Sequence, residues 1–125
     1  MTDIQNSDDF AAIMEALEKY NEGAAAANSS VMRPSFHAKA TIYSVDEKSD
    51  LSGGSVEEFL FNPVDNDLPQ SPNAVATVSK IDIVGCVASA RIDTENLAGM
   101  KFTDFMQLVK TNGRWQVISK VFHGH

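Results

Sequence analysis

The sequence predicts an α+β fold in which N-terminal helices pack on one face of a curved antiparallel sheet. Three observations carry that prediction. Apolar residues recur at helical spacing between Phe10 and Ala24. The second half of the chain holds four strand-like runs rich in β-branched and aromatic residues. The last two runs, Lys101–Thr111 and Arg114–Phe122, are joined by Asn112-Gly113, the strongest short-range signal for a two-residue hairpin turn.

The elements follow in order. Residues 1–6 read as a frayed, polar end. Ser7 or Asp8 can cap a helix whose first turn carries acidic residues, as its dipole prefers. Phe10, Ile13, Met14, Leu17, Tyr20, Asn21 and Ala24 share one face of it. Asn28, Ser29 and Ser30 offer a second cap, for a short helix with Pro34 in its first turn. Ala40–Val45 reads as a short strand and Asp46–Gly54 as a polar loop. Ser55-Val56-Glu57-Glu58 has the form of a capping box. Phe59, Leu60 and Phe61 would be the buried side of a short helix there. Asn62–Asn73, with Pro63, Pro69 and Pro72, reads as a loop. Ala74–Val84 and Val87–Thr94 are strands about a tight turn at Gly85-Cys86, and the final hairpin completes a four-strand meander.

A chain of 125 residues implies one domain, here 1–125. Ten Lys and Arg against 17 Asp and Glu give a net charge of −7. That balance argues against nucleic acid or an anionic membrane surface as the main partner. The single cysteine, Cys86, excludes an internal disulfide. No secretory signal and no membrane-spanning run is evident, so a cytoplasmic protein is expected.

A two-residue turn at Asn112-Gly113 makes paired residue numbers across the last hairpin sum to 225. One face then holds Phe102, Asp104, Met106 and Leu108, facing His123, Val121, Ser119 and Val117, with Trp115 beside Lys110. This more apolar face is assigned to the core. The other carries Phe105, Val109, Ile118 and Phe122 among polar residues, which reads as a homodimer interface through the sheet. In the preceding hairpin, Ile81, Ile83, Ala88, Ala90 and Ile92 fall inward. Two alanines there leave room for a cavity, the usual form of a small-molecule site.

Asp104 lies between Phe102 and Met106 on the inward face. A carboxylate there would be desolvated and its pKa raised, which suits a general acid or base; the alternative is a structural ion pair. His123 is a candidate partner for it, as orienter or proton shuttle. Tyr20 and Tyr43 can each present a hydroxyl to a ligand, or serve as core aromatics. Phe102, Met106, Ser119 and Trp115 complete the expected ligand-binding set. His123 and His125 make an H-x-H pair without a nearby third ligand, so no metal is expected. Arg91 is read as part of a surface ion-pair network with Asp82 and Asp93.

The order of helices and strands, with Thr103-Asp104-Phe105-Met106-Gln107-Leu108-Val109-Lys110, Asn112-Gly113-Arg114-Trp115-Gln116-Val117 and Ser119-Lys120-Val121-Phe122-His123, resembles nuclear transport factor 2-like (NTF2-like) proteins. Within them it is similar to the SnoaL-like, "putative lumazine-binding" bacterial branch, with Tyr20-Asn21-Glu22-Gly23 and Ile81-Asp82-Ile83-Val84-Gly85 matching as well. The resemblance implies a cystatin-like cone, a bent sheet wrapped around helices and a homodimer through that sheet. Relatives include steroid isomerases, dehydratases, polyketide cyclases and non-catalytic binders. The expected function is binding of a small, partly apolar molecule in the cone, without a cofactor. The alternatives are an isomerase, dehydratase or cyclase with Asp104 as acid or base, and a structural or accessory dimer.

Overall fold

A computed structural model describes residues 3–125 of the chain, and the side chains of residues 7–125. Helix α1 runs from Asp3 to Ala26. Of the stripe that the periodicity marks, it buries Ile13, Leu17, Tyr20 and Ala24, whereas Met14 and Asn21 are half-buried and Phe10 is exposed. It starts earlier than expected, so Ser7 and Asp8 lie within it rather than capping it. Nothing between Asp3 and Ser7 breaks a helix, since the stretch has neither Pro nor Gly. The frayed end expected for residues 1–6 therefore falls partly on helix, and residues 1 and 2 lie outside the described residues.

The end of α1 is a Schellman motif. Asn28 N–H reaches Gly23 O at 2.9 Å and Ala27 N–H reaches Ala24 O at 3.2 Å, with Ala27 at φ 54°. The reversal seats α2 (Ser29–Met32) directly against α1. A Cβ added at Gly23 would come within 2.9 Å of the Met32 Cβ, so glycine is what allows the two helices to touch.

Past a 3₁₀ turn at Arg33–Ser35, strand β1 covers Phe36–Val45. It pairs antiparallel with β2 (Leu51–Ser55), where a loop was expected. Gly53 suggests a loop by its residue type. Here it permits close approach of two strands, since a Cβ would fall 2.0 Å from Ile42 O. Glu57–Phe61 forms a wide helical turn where the capping box predicts a short helix, and it runs on into α3 (Asn62–Asn66), which replaces the first part of the expected Asn62–Asn73 loop. Pro63 sits in the first turn of α3, where its missing N–H costs little. Of the expected capping box, Glu58 N–H bonds Ser55 Oγ at 3.2 Å.

Strands β3 (Val75–Val84), β4 (Val87–Leu97), β5 (Met100–Thr111) and β6 (Arg114–Gly124) form the meander. The sheet order is β2-β1-β6-β5-β4-β3, with β1 parallel to β6. This is the expected α+β architecture. The hairpin of β3 and β4 keeps its predicted pairing from the turn out to Lys80 and Arg91, and Ala88, Ala90 and Ile92 point into the core.

The β5–β6 register departs from the simple hairpin. Pairs sum to 225 from Thr111–Arg114 to Leu108–Val117; Gln107 then pairs with Ser119, and every later pair sums to 226. Ile118 is an extra residue on β6, a β-bulge. Because side chains alternate with period two, one extra residue exchanges the faces of everything beyond it. Lys120 and Phe122 turn inward, whereas Ser119, Val121 and His123 turn outward. The assignment of Ser119, Val121 and His123 to the core face is thus corrected, as is that of Phe122 to the outer one.

Two polar networks pin this frame. Buried Asp9 accepts from Trp115 Nε1 and from Lys110 Nζ, each at 2.9 Å, tying α1 to the closed end of the hairpin. Those bonds hold its carboxyl below the usual range. On the outer face, Asp93 accepts from Arg91 Nε at 3.0 Å, Thr103 Oγ1 at 2.8 Å and Ser79 Oγ at 3.3 Å. These bonds hold its pKa down to about 2, from 3.8.

A depressed carboxylate pKa stabilises the fold above the unfolded-state value, and the benefit is lost as pH falls through the folded one. Asp93→Asn is therefore expected to melt at a lower temperature than the unsubstituted protein at pH 6. The gap should shrink between pH 4 and pH 2. Thermal melts followed by circular dichroism across that range check it; a gap that does not change with pH would show that the ion pair is not what Asp93 contributes.

Candidate functional site

The bulge brings a third polar group to a place where the sequence marks only two. Tyr20 projects from α1, Asp104 from β5 and Lys120 from β6, and all three are buried. The Tyr20 hydroxyl donates to Asp104 Oδ2 at 3.3 Å and accepts a short hydrogen bond from Lys120 Nζ. Lys120 Nζ stands 3.9 Å from Asp104 Oδ1. It also lies over the faces of Tyr20 and Phe122, at 4.7 and 4.9 Å from the ring centroids, so the ammonium has aromatic as well as anionic neighbours.

Burial works on Tyr20 and Lys120 in opposite senses, because each avoids its charged form in a poor solvent for charge. It drives the Tyr20 phenol well above its ordinary pKa, and the Asp104 carboxylate adds to the rise. It lowers the Lys120 ammonium, with Asp104 pulling the other way. Tyr20 is thereby kept as a hydrogen-bond donor, and Lys120 is moved toward the neutral amine.

The three side chains line a cavity of about 300 Å³ whose other walls are mostly apolar. That volume is at the low end of the ~300–1,000 Å³ usual for ligand pockets. Phe102 and Phe122 close one side; Leu60, Val64 and Leu68, from the segment around α3, close another. This lid is tied to α2 and to the 3₁₀ turn that follows it. Arg33 makes a two-pronged pair with Glu57 at 2.7 and 3.0 Å, and Asp65 accepts from the Ser29 N–H and hydroxyl at 2.8 and 2.6 Å.

Of the residues predicted from sequence, the cavity brings together Tyr20, Asp104 and Phe102. The others lie elsewhere. Met106 is fully buried in the core, and Trp115 is buried at the far end of the hairpin with its indole N–H on Asp9. Tyr43 sits on β1 beside outward-facing Val121, so it shares the outer face. Ser119 turns outward with the bulge. His123 is exposed opposite Thr103, its ring edge-on to His125 at 4.9 Å between centroids. Lys120 is the residue missed. The available signal was the adjacent apolar pair Val117-Ile118, a break in the alternation that marks a change of phase.

The family model described as "Putative lumazine-binding" matches residues 8–123. The chain belongs to this family. Its fold is shared with solved NTF2-like proteins of unknown function. One from Shewanella baltica is 47% identical, covers 100% of this chain and 98% of its own, and superposes with a TM-score of 0.93. Another, from Methylobacillus flagellatus, is 34% identical over 94% of this chain and 93% of its own, with a TM-score of 0.84. The chain is also similar to the aldolase FrzH of a Cladobotryum species. The two are 28% identical over 123 residues, covering 95% of this chain and 94% of the relative.

Proposed function

We propose that this chain binds a small, largely apolar carbonyl compound in its cone and catalyses proton transfer at the carbon beside that carbonyl. The observation that carries the reading is the Tyr20–Asp104–Lys120 cluster on the wall of an otherwise apolar cavity. Each group has a role in enolate chemistry. Tyr20, held as the phenol, donates to the carbonyl oxygen as charge develops there. Asp104 removes the α-proton as general base. Lys120 stabilises the enolate electrostatically. Isomerisation, dehydration, cyclisation and aldol reactions of carbonyl compounds share this step, and a relative named as an aldolase supports the reading. The family description points to lumazines as well. A lumazine carries polar atoms around both rings, and apolar walls would leave most of them unpaired. A ligand with one carbonyl group and an apolar body suits the lining better.

The test uses α-tetralone in D₂O, with loss of the α-proton signal followed by NMR. The protein is expected to accelerate exchange over buffer. Asp104→Asn and Tyr20→Phe should each remove about 100-fold or more of that acceleration, the usual size of a general acid–base contribution. Shifts of the Ile42 and Leu60 methyl signals without any acceleration would contradict catalysis and leave a binding protein.

The same reading includes a homodimer through the outer face of the sheet, in the cytoplasm. Phe105, Val121 and Val87 are about half exposed there, on adjacent strands, with Phe105 directly opposite Val121. The lone thiol, Cys86, is exposed and free, as suits a reducing compartment. Phe105→Asp should turn a dimer into a monomer on a sizing column with light scattering; an unchanged dimer would refute this interface.

A further inference from the structure

We infer that Lys120 reacts covalently with the bound carbonyl compound, its Nζ adding to the carbonyl carbon to give an imine. This rests on the reading that the cavity takes such a compound, and it assigns the lysine a role beyond electrostatics. The geometry is particular to this residue. Of the seven lysines in the chain, Lys120 is the buried one, at 6% exposure. Its amine lines the cavity alongside a hydroxyl and a carboxylate. A lysine withdrawn from water in an apolar pocket is the usual form of an activated amine nucleophile. The ionisable groups around it are few. Tyr20 faces it from α1 and Asp104 from β5, and Asp67, beyond α3, is the other ionisable residue on the lining.

The protons balance within the cluster. Asp104 takes one proton from the Lys120 ammonium, which frees the nitrogen lone pair. Nζ attacks the carbonyl carbon, a C–N bond forms, and the C=O π electrons pass to oxygen. Tyr20 gives its proton to that oxygen and takes one from the now cationic nitrogen, which its hydroxyl already touches. The carbinolamine hydroxyl then leaves as water with the proton held by Asp104, as the nitrogen lone pair closes the C=N bond. The product is a protonated imine beside the restored Asp104 carboxylate. Its positive charge makes the neighbouring carbon more acidic than the parent carbonyl does, so the covalent step serves the same proton transfer.

The experiment uses the intact protein with 3-phenylpropanal as probe and sodium cyanoborohydride as trap at pH 7. Peptide mass mapping reads the reduced adduct at each lysine. Lys120 is expected to be labelled at least about tenfold faster than any other lysine, because the cavity holds the aldehyde beside its amine. Tyr20→Phe should slow that labelling while leaving the exposed lysines unchanged. Labelling confined to the exposed lysines, or no faster at Lys120 than at them, overturns the inference. The Ile42 and Leu60 methyl signals, followed with the aldehyde and no reductant, separate the two ideas. If they shift and Lys120 stays unlabelled, the imine is wrong and carbonyl binding survives. If neither occurs, both fail.

Discussion

One extra residue in β6 decides what this cone can do. The bulge at Ile118 exchanges the faces of the last strand, and Lys120 enters the interior opposite Met106 as a result. Without it Lys120 would face outward and Ser119 would stand opposite Met106. The cavity would then carry only Tyr20 and Asp104 as an interacting polar pair. The rest of the fold accommodates the change. Asp9 fixes the closed end of the hairpin to α1, and Tyr20 on that same helix meets Lys120 further along.

The arrangement is costly for stability. A lysine and a carboxylate both lose water, and at 3.9 Å their attraction recovers only part of that loss. The Tyr20 hydroxyl and two aromatic faces recover some of the rest. An apolar side chain at position 120 would be the simpler way to fill the core. Buried ionisable groups that meet in a cleft, as Tyr20, Asp104 and Lys120 do, are a physical signature of a candidate site, and burial displaces Tyr20 and Lys120 from their ordinary protonation equilibria. The lid around α3 fits this view, since its hydrogen bonds to α2 and its ion pair to the 3₁₀ turn place apolar walls over the charged cluster.

The architecture was legible where a single local rule governs the chain. The stripe on α1 follows helical spacing, and the inward alanines of β4 follow from the turn at Gly85-Cys86. Glycine and proline misled where tertiary contacts gave them another use: Gly53 admits a close strand pair, and Pro63 opens α3 instead of preventing it. The site was only half legible. Tyr20 and Asp104 lie on elements whose faces the sequence defines. Lys120 lies beyond a bulge, and strict alternation assigns such a residue to the wrong side. The same slip drew His123 and Ser119 into the expected site. Tyr43 lies outside the site for another reason: Ala40 and Ile42 take the inward positions of β1, so alternation turns Tyr43 outward.

The central claim, that the bulge buries Lys120 beside Tyr20 and Asp104, is tested most directly by titrating the lysine side-chain nitrogens of the labelled protein by NMR. One of the seven ammonium groups, assigned through Lys120→Arg, should titrate below the ordinary value near 10.5. Its transition should move when Asp104 is changed to Asn. If Lys120 titrates together with the six others and is indifferent to Asp104, the lysine faces solvent and this account of the site is wrong.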